Sequence, residues 1–263
     1  MRNLAPLKRY GQNFLVDQNI SKKIVESAFI EKEDFILEIG PGKGALTKYL
    51  IKLPNNYLGI EVDRGLYAFL CKEFAKYLSL YGKKIMLSDV LETELRFIEK
   101  KVNVIANLPY NIASLIIVKL IKEDISLKSM TIMIQKEMSQ RLFALPGAKE
   151  YGRLSVFIQN FFEGDILFEV KENCFYPKPK VRSIVIRLVP KSDFYEKKLH
   201  CKDFEDFLRK VFSQPRKIIK NVLNEEYIRI FSEMNENLLS MRPGQIDPEM
   251  YWRIFRLLKG RSL

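Results

Sequence analysis

Short apolar runs alternate with amphipathic stretches along the first half of the chain. The runs occupy residues 35–39, 57–62, 84–87, 102–106 and 130–135, and each is four to six residues long. They are nearly continuous rather than alternating, the pattern of strands buried on both faces. Between them, residues 21–29, 45–53, 65–80 and 112–121 repeat apolar side chains at helical spacing. Strands alternating with helices predict βαβ units and a parallel sheet covered on both sides. Residues 167–170 and 183–189 read as further strands near the end of that sheet. After Pro190 the pattern changes. Residues 204–212, 216–223 and 248–258 show helical spacing with few strand signals. The boundary falls near 190–200, giving an α/β domain over residues 1–190 and a small helical domain over 191–263. No internal repeat or low-complexity segment interrupts the chain.

Composition narrows the class. Of 263 residues, 47% are hydrophobic, enough for a large core and too many for a disordered chain. No apolar run approaches the roughly 20 residues of a membrane span. Residues 1–10 carry three basic side chains with no apolar stretch behind them, so no secretory signal is expected and the cytoplasm is the expected location. Cys71, Cys174 and Cys201 lie far apart, which argues for a reducing compartment and against structural zinc. The net charge of +12 is spread: residues 1–190 have 29 Lys and Arg against 21 Asp and Glu, and the remainder 15 against 11. Such a surface favours a polyanion, most simply nucleic acid, although many soluble proteins are basic without one.

The chemistry concentrates at strand ends. Asn107-Leu108-Pro109-Tyr110 follows the run 102–106, where open α/β sheets place their ligands. An amide, a carbonyl ahead of proline and an aromatic ring suit alkylation of an exocyclic nucleobase amine. That nitrogen is a poor nucleophile because its lone pair is delocalised into the ring. Acceptors at the Asn107 side chain and the Leu108 carbonyl would draw it toward a tetrahedral shape while Tyr110 stacks on the flipped base. Taken alone, the tetrapeptide also reads as a turn after a strand.

A second cluster suits a cofactor. Glu38-Ile-Gly-Pro-Gly-Lys-Gly44 ends the first strand, and Gly40, Gly42 and Gly44 let a ligand approach the backbone. Gly40-x-Gly42-x-x-Ala45 also satisfies the relaxed dinucleotide fingerprint. Glu61 ends the second strand, where an acid grips ribose hydroxyls, and Asp89 follows the third, placed to accept from an adenine amine. Two acids suit an adenosine without phosphates, and S-adenosylmethionine adds a positive sulfonium. A dinucleotide would leave Asn107–Tyr110 unexplained. The structural alternative is that Glu61 and Asp89 merely cap helices.

Phe175 precedes a proline-rich segment with Lys178, Lys180 and Arg182, a combination suited to stacking on a base and holding its backbone, or to a ring packed under a rigid loop. Arg209, Arg216 and Lys220 are seven and four residues apart, one helix face if Pro215 allows, which serves phosphate or simply solvent. His200, the single histidine, is expected at the surface, and Cys174 receives no chemistry.

Together these residues resemble the KsgA-type ribosomal RNA adenine dimethyltransferases. The similarity runs from about residue 8 to 189 and more weakly to about 223. It is carried by Lys8-Arg-Tyr-Gly-Gln-Asn-Phe-Leu15, Glu38–Gly44, Ile60-Glu61-Val-Asp63, Ser88-Asp89 and Asn107–Tyr110, with Gln135-Lys-Glu137, Tyr151-Gly-Arg-Leu-Ser155 and Phe175-Tyr-Pro-Lys-Pro-Lys-Val-Arg-Ser183 as later blocks. The resemblance implies a Rossmann-like class I S-adenosylmethionine-dependent methyltransferase domain with a small helical carboxy-terminal domain for docking. It implies two methyl groups transferred to N6 of each of two adjacent adenines in the 3′-terminal hairpin of 16S rRNA, within an immature small subunit, and a role in subunit biogenesis. S-adenosylmethionine is the implied donor, held by Gln12, Asn13, Leu15, Gly40, Gly42, Glu61, Asp89, Val90 and Asn107, with no metal. Asn107, Leu108, Pro109, Tyr110 and Phe175 would form the catalytic set. Lys178, Lys180, Arg182, Arg209, Arg216, Lys217 and Lys220 would contact RNA, and the protein would act as a monomer. One alternative is the related large-subunit rRNA adenine methyltransferase of the macrolide-resistance type. The Gly11-Gln-Asn-Phe14 start, the Asn107-Leu108 pairing and the Tyr151-Gly-Arg block lean away from it. Another is an assembly factor that acts mainly by binding.

Overall fold

The computed structural model describes residues 13–261. The chain divides into two compact units, residues 1–136 with 165–189, and residues 137–164 with 190–263. Residues 137–164, read from sequence as part of the first domain, thus group with the carboxy-terminal residues.

The first unit contains β1 (Phe14–Leu15), α1 (Gln18–Glu26), β2 (Phe35–Ile39), α2 (Thr47–Leu50), β3 (Asn56–Glu61), α3 (Arg64–Glu73), α4 (Ala75–Leu78), β4 (Lys83–Leu87), β5 (Lys101–Asn107), α5 (Ala113–Lys122) and β6 (Ser126–Gln135). After α6 (Lys136–Leu142) and α7 (Arg153–Phe161), the chain adds β7 (Phe162–Val170), β8 (Phe175–Tyr176) and β9 (Ser183–Pro190). Seven strands form one sheet in the order β4-β3-β2-β5-β6-β9-β7. Strands β4 through β6 are parallel, and β9 runs antiparallel to β6. Ile36, Leu37, Val104, Ile105 and Ile132 are all buried, as the near-continuous apolar runs predict. The edge strand β4 buries only Ile85 and carries Lys83 and Lys84, charges that discourage pairing with another chain. From β2 the chain winds outward to β3 and β4, then returns to β5 on the other side of β2. The loops leaving β2 and β5 therefore diverge, which opens a crevice at their carboxyl ends.

Several predicted helices differ in extent. The helix expected over 21–29 starts at Gln18, because the Asp17 carboxylate accepts from the amides of Asn19 and Ile20, and it ends at Glu26. Residues 65–80 split at Phe74 into α3 and α4, and 45–53 contract to the single turn of α2. Residues 216–223 hold only a short 3-10 turn, Ile219–Asn221. Helix α9 (Cys201–Val211) has already stopped ahead of Pro215, which lacks the N–H a helix would need. The second unit also contains α8 (Phe194–Lys198), α10 (Glu225–Met234) and α11 (Pro248–Arg261), and α6, α7, α8 and α10 went unread in the sequence. Its core is aromatic: Phe204 meets Trp252 edge-on at 5.0 Å and Phe255 at 5.3 Å between centroids.

Polar side chains tie the amino-terminal edge of the sheet together. Asp34 Oδ2 accepts from the Glu31 amide, Asn103 Nδ2 and Lys128 Nζ, each at 2.7 Å, and the amide oxygen of Asn103 accepts from Ser129. Asn103 is fully buried in an otherwise apolar strand, so these bonds offset its desolvation. Asp34→Ala would strand the Asn103 amide and leave Lys128 with Glu31 alone, 3.0 Å away, and the expected loss is about 1–3 kcal/mol of stability, read from the midpoint of urea unfolding.

Candidate functional site

The carboxyl ends of β2, β3 and β5 line one cleft. Beyond β2, Gly40 and Gly42 take positive φ values of 64° and 61°, a conformation side chains disfavour, and both face the cleft. A Cβ on Gly42 would sit 3.4 Å from the Phe14 ring. The Gly42 amide donates to Glu61 Oε2 at 2.9 Å, and Glu61 Oε1 accepts from the Asp63 amide at 3.0 Å. One buried carboxylate thus ties the glycine loop to the end of β3. Burial pushes the Glu61 carboxyl up from its ordinary range.

Glu38, level with Gly59 and Ile105 across the sheet, is buried in the floor of this cleft. Its Oε2 accepts from the Tyr57 hydroxyl at 2.6 Å and the Thr47 hydroxyl at 2.8 Å. Burial raises its carboxyl to about 7 against these bonds. The sequence reading gave Glu38 no role of its own. The available signal was an acid inside an apolar strand, which requires partners.

Asn107 closes β5. Its Nδ2 donates to the Asn13 carbonyl at 3.2 Å, so the acceptor Oδ1 is the end turned away from Asn13. The Leu108 amide is held by the Met133 carbonyl at 3.1 Å. The Tyr110 hydroxyl pairs with the Ser183 hydroxyl at 2.7 Å, and burial raises its phenol, which keeps it neutral. Asn13 is brought here by a two-stranded ribbon, β1 against β8, that pairs Phe14 with Tyr176 and Leu15 with Phe175. Lys43 sits 4.7 Å above the Phe14 ring.

Of the residues singled out in the sequence, Asn13, Leu15, Gly40, Gly42, Glu61, Asn107, Leu108, Pro109 and Tyr110 line this cleft, joined by Phe14, Glu38 and Lys43. Gln12 lies outside the described residues. Asp89 and Val90 follow β4 and do not line the cleft: Asp89 is exposed and accepts from the Leu91 amide at 2.9 Å, while Val90 is buried. Phe175 does not offer the stacking face read from sequence. Opposite Leu15 in the ribbon it is only 4% exposed and packs in the apolar core. Lys178 and Lys180 are exposed, whereas Arg182 is engaged by Glu169 at 2.9 Å and Glu172 at 3.5 Å.

In the second unit, Arg209, Arg216 and Lys220 do not share a helix. Arg209 and Arg216 instead line an open cleft with Lys149, Arg153 and Arg242, and no carboxylate is among its lining residues. The Gly147 amide bonded to the Gly244 carbonyl at 2.7 Å, and the Tyr151 hydroxyl bonded to the Ile246 carbonyl at 2.7 Å, hold its walls together. Arg209 is partly engaged by Asp206 at 2.9 Å, and Lys217 and Lys220 are exposed outside the cleft. Lys149, Arg153 and Arg242 escaped the sequence reading because no spacing links them. Among the described residues no group of acids, cysteines and histidines could hold a metal, and no helix is long and apolar enough to cross a membrane.

The sheet order, the glycine loop tied to a strand-end acid and the Asn-Leu-Pro-Tyr corner define a Rossmann-like methyltransferase domain, accompanied by a helical unit. The model of the family described as ribosomal RNA adenine dimethylase matches residues 6–259, and the chain belongs to that family. It is 38% identical to the ribosomal RNA small subunit methyltransferase A of Sulfurihydrogenibium sp. (strain YO3AOP1), over 99% of both chains. It is 35% identical to the protein of that name in Chlorobium phaeobacteroides (strain BS1), over 97% of this chain and 95% of the other. Among solved structures, a dimethyladenosine transferase from Plasmodium falciparum superposes with a TM-score of 0.80 at 24% identity, over 95% of this chain and 98% of the other. The 23S rRNA methyltransferase ErmE does so with 0.69 at 22% identity, over 94% and 100%. Both share the fold.

The raised Glu38 carboxyl makes a pH prediction. The folded protein holds that proton more tightly than the unfolded chain, whose glutamate titrates near 4.5. The extra stability is full below that pH, falls as pH rises, and is gone above the folded value of about 7. Relative to Glu38→Gln, which cannot titrate, the wild type should lose about 3 kcal/mol between pH 4.5 and 7, as read by denaturant titrations across that range.

Proposed function

We propose that this chain transfers methyl groups from S-adenosylmethionine to N6 of two adjacent adenines in the 3′-terminal hairpin of 16S rRNA, acting as a cytoplasmic monomer on an immature small subunit. The observation that carries this reading is the Asn107 amide. Its nitrogen is committed to the Asn13 carbonyl, so Oδ1 and the adjoining Leu108 carbonyl form a pair of acceptors at a strand end beside the half-buried Tyr110 ring. Two acceptors and a ring are what an exocyclic amine on a flipped adenine needs.

The residues of the cleft fit the donor. Its lining carries two carboxylates, Glu38 and Glu61, and one cation, Lys43, already placed over the Phe14 ring. That balance suits a cationic adenosine and would repel a pyrophosphate. Gly40 and Gly42 leave the backbone open to approach, and Glu61 has lone pairs left for ribose hydroxyls. Asn13 and Leu15 form the wall beside Asn107. Asp89 and Val90, just beyond the end of β4, would meet the adenine ring. When bound, S-adenosylmethionine supplies an electrophilic methyl group.

The protein's part is positioning. Asn107 and Leu108 accept the two N–H groups of the adenine amine, and Tyr110, held by Ser183, keeps the base in line. No general base is needed before attack, because the amine becomes acidic only after methylation. The second transfer has one N–H left to hold. Docking falls to the cationic cleft of the second unit and to Lys178, Lys180, Lys217 and Lys220, with Arg182 available if RNA displaces its carboxylates.

Radiolabelled S-adenosylmethionine, offered with small subunits lacking the dimethyladenines and separately with unmodified large-subunit rRNA, tests the reading. N6,N6-dimethyladenine in the small-subunit hairpin is the expected product. Label only in large-subunit rRNA would assign the chain to the resistance branch, and tight subunit binding without label would make it an assembly factor. Asn107→Ala should lower turnover by about 10³-fold while the protein stays folded by circular dichroism. Arg216→Ala should raise KM for subunits several-fold, on the order of 1 kcal/mol, with kcat unchanged and a shallower salt dependence.

A further inference from the structure

The segment joining β8 to β9 is fastened to the methyl-transfer cleft at both ends. At one end, Tyr176 is paired directly with Phe14, which lines the cleft. Residues opposed in an antiparallel pair project to the same face, so Tyr176 stands on the Phe14 side of the ribbon, while Phe175 and Leu15 share the other. At the other end, Ser183 opens β9 and bonds the Tyr110 hydroxyl at 2.7 Å. Residues 177–182 therefore run between two anchors on cleft-lining residues, although none of them is itself part of the lining.

What the segment displays is unusual for a connection with no structural task. The Tyr176 ring is 63% exposed, the one large aromatic of this stretch that is not buried. Lys178, Lys180 and Val181 are exposed beside it, and residues 176–181 contain no acid. Arg182 is drawn to Glu169 and Glu172, yet Lys178 and Lys180 make no ion pair among the described residues. An exposed ring interleaved with unpaired cations matches the way proteins hold single-stranded RNA, by stacking bases and neutralising phosphates. A protein partner of acidic character would meet the lysines but would gain little from a flat ring next to a base-binding pocket.

We propose that Tyr176 stacks on the nucleotide adjoining the adenine held at Asn107–Tyr110, while Lys178 and Lys180 take the phosphates on either side of it. Tyr176 is thereby a positioning residue that helps to keep the target nucleotide out of its helix. The proposal rests on the RNA-methylation reading and deepens it by naming a second base site.

The test uses the full chain and a short oligoribonucleotide with 2-aminopurine, a fluorescent adenine analogue, next to the target adenine. Stacking on Tyr176 quenches the analogue. Tyr176→Ala should abolish the quenching at saturation and raise KM for small subunits by roughly tenfold with kcat within about threefold of wild type. Tyr176→Phe should restore both, and the affinity for S-adenosylmethionine, measured by calorimetry, should be the same in all three proteins. Lys178→Ala combined with Lys180→Ala should weaken binding and flatten its salt dependence while leaving the quenching at saturation intact. Equal quenching and equal KM in Tyr176→Ala and wild type would overturn the proposal, as would a failure of Tyr176→Phe to rescue. If wild type quenches the probe through Tyr176 yet methylates neither rRNA, the second base site stands and the methylation reading falls.

Discussion

The reversal of strand order between β2 and β5 is the constraint from which the site follows. Both strands run parallel at the centre of the sheet, but the chain leaves β2 toward β3 and reaches β5 only after crossing to the opposite side. Two adjacent loops are thereby forced apart. The glycine loop occupies one rim and Asn107–Tyr110 the other. Glu61 then stabilises the first rim through the Gly42 amide, and the Asn13 carbonyl orients the second through the Asn107 amide.

Electrostatics divide the labour between two surfaces. The cleft of the first unit holds two buried carboxylates whose charged forms are disfavoured by desolvation, which raises both. A cationic ligand there would offset that cost. The cleft of the second unit presents five cations and no acid, a surface for a polyanion. A net charge of +12 is consistent with either arrangement and located neither.

The β1–β8 ribbon is the least predictable part of the molecule and one of the most consequential. Two residues on each side suffice to bring Asn13 to Asn107 across 94 positions of sequence and to turn Phe175 into the core while leaving Tyr176 outside. Strand alternation makes that exchange of neighbours unavoidable once the register is set. The aromatic that sequence reasoning chose and the aromatic that faces solvent therefore differ by one position.

The sheet strands, the glycine loop, Glu61 and the Asn107–Tyr110 corner were legible in the amino-acid order because each is encoded by neighbours: a continuous apolar run makes a buried strand, and a glycine or proline cluster marks its end. Helix limits were less legible, since Asp17 starts a helix through its carboxylate and Phe74 splits one through its backbone conformation, neither of which apolar spacing registers. Tertiary structure alone decided the role of Glu38 with Tyr57 and Thr47, the burial of Phe175, the exposure of Asp89 and the gathering of Lys149, Arg153 and Arg242 beside Arg216. The physical reason is range. Periodicity and turn chemistry act over a few residues, whereas burial and charge clustering depend on segments tens of positions apart, which meet only when the core closes.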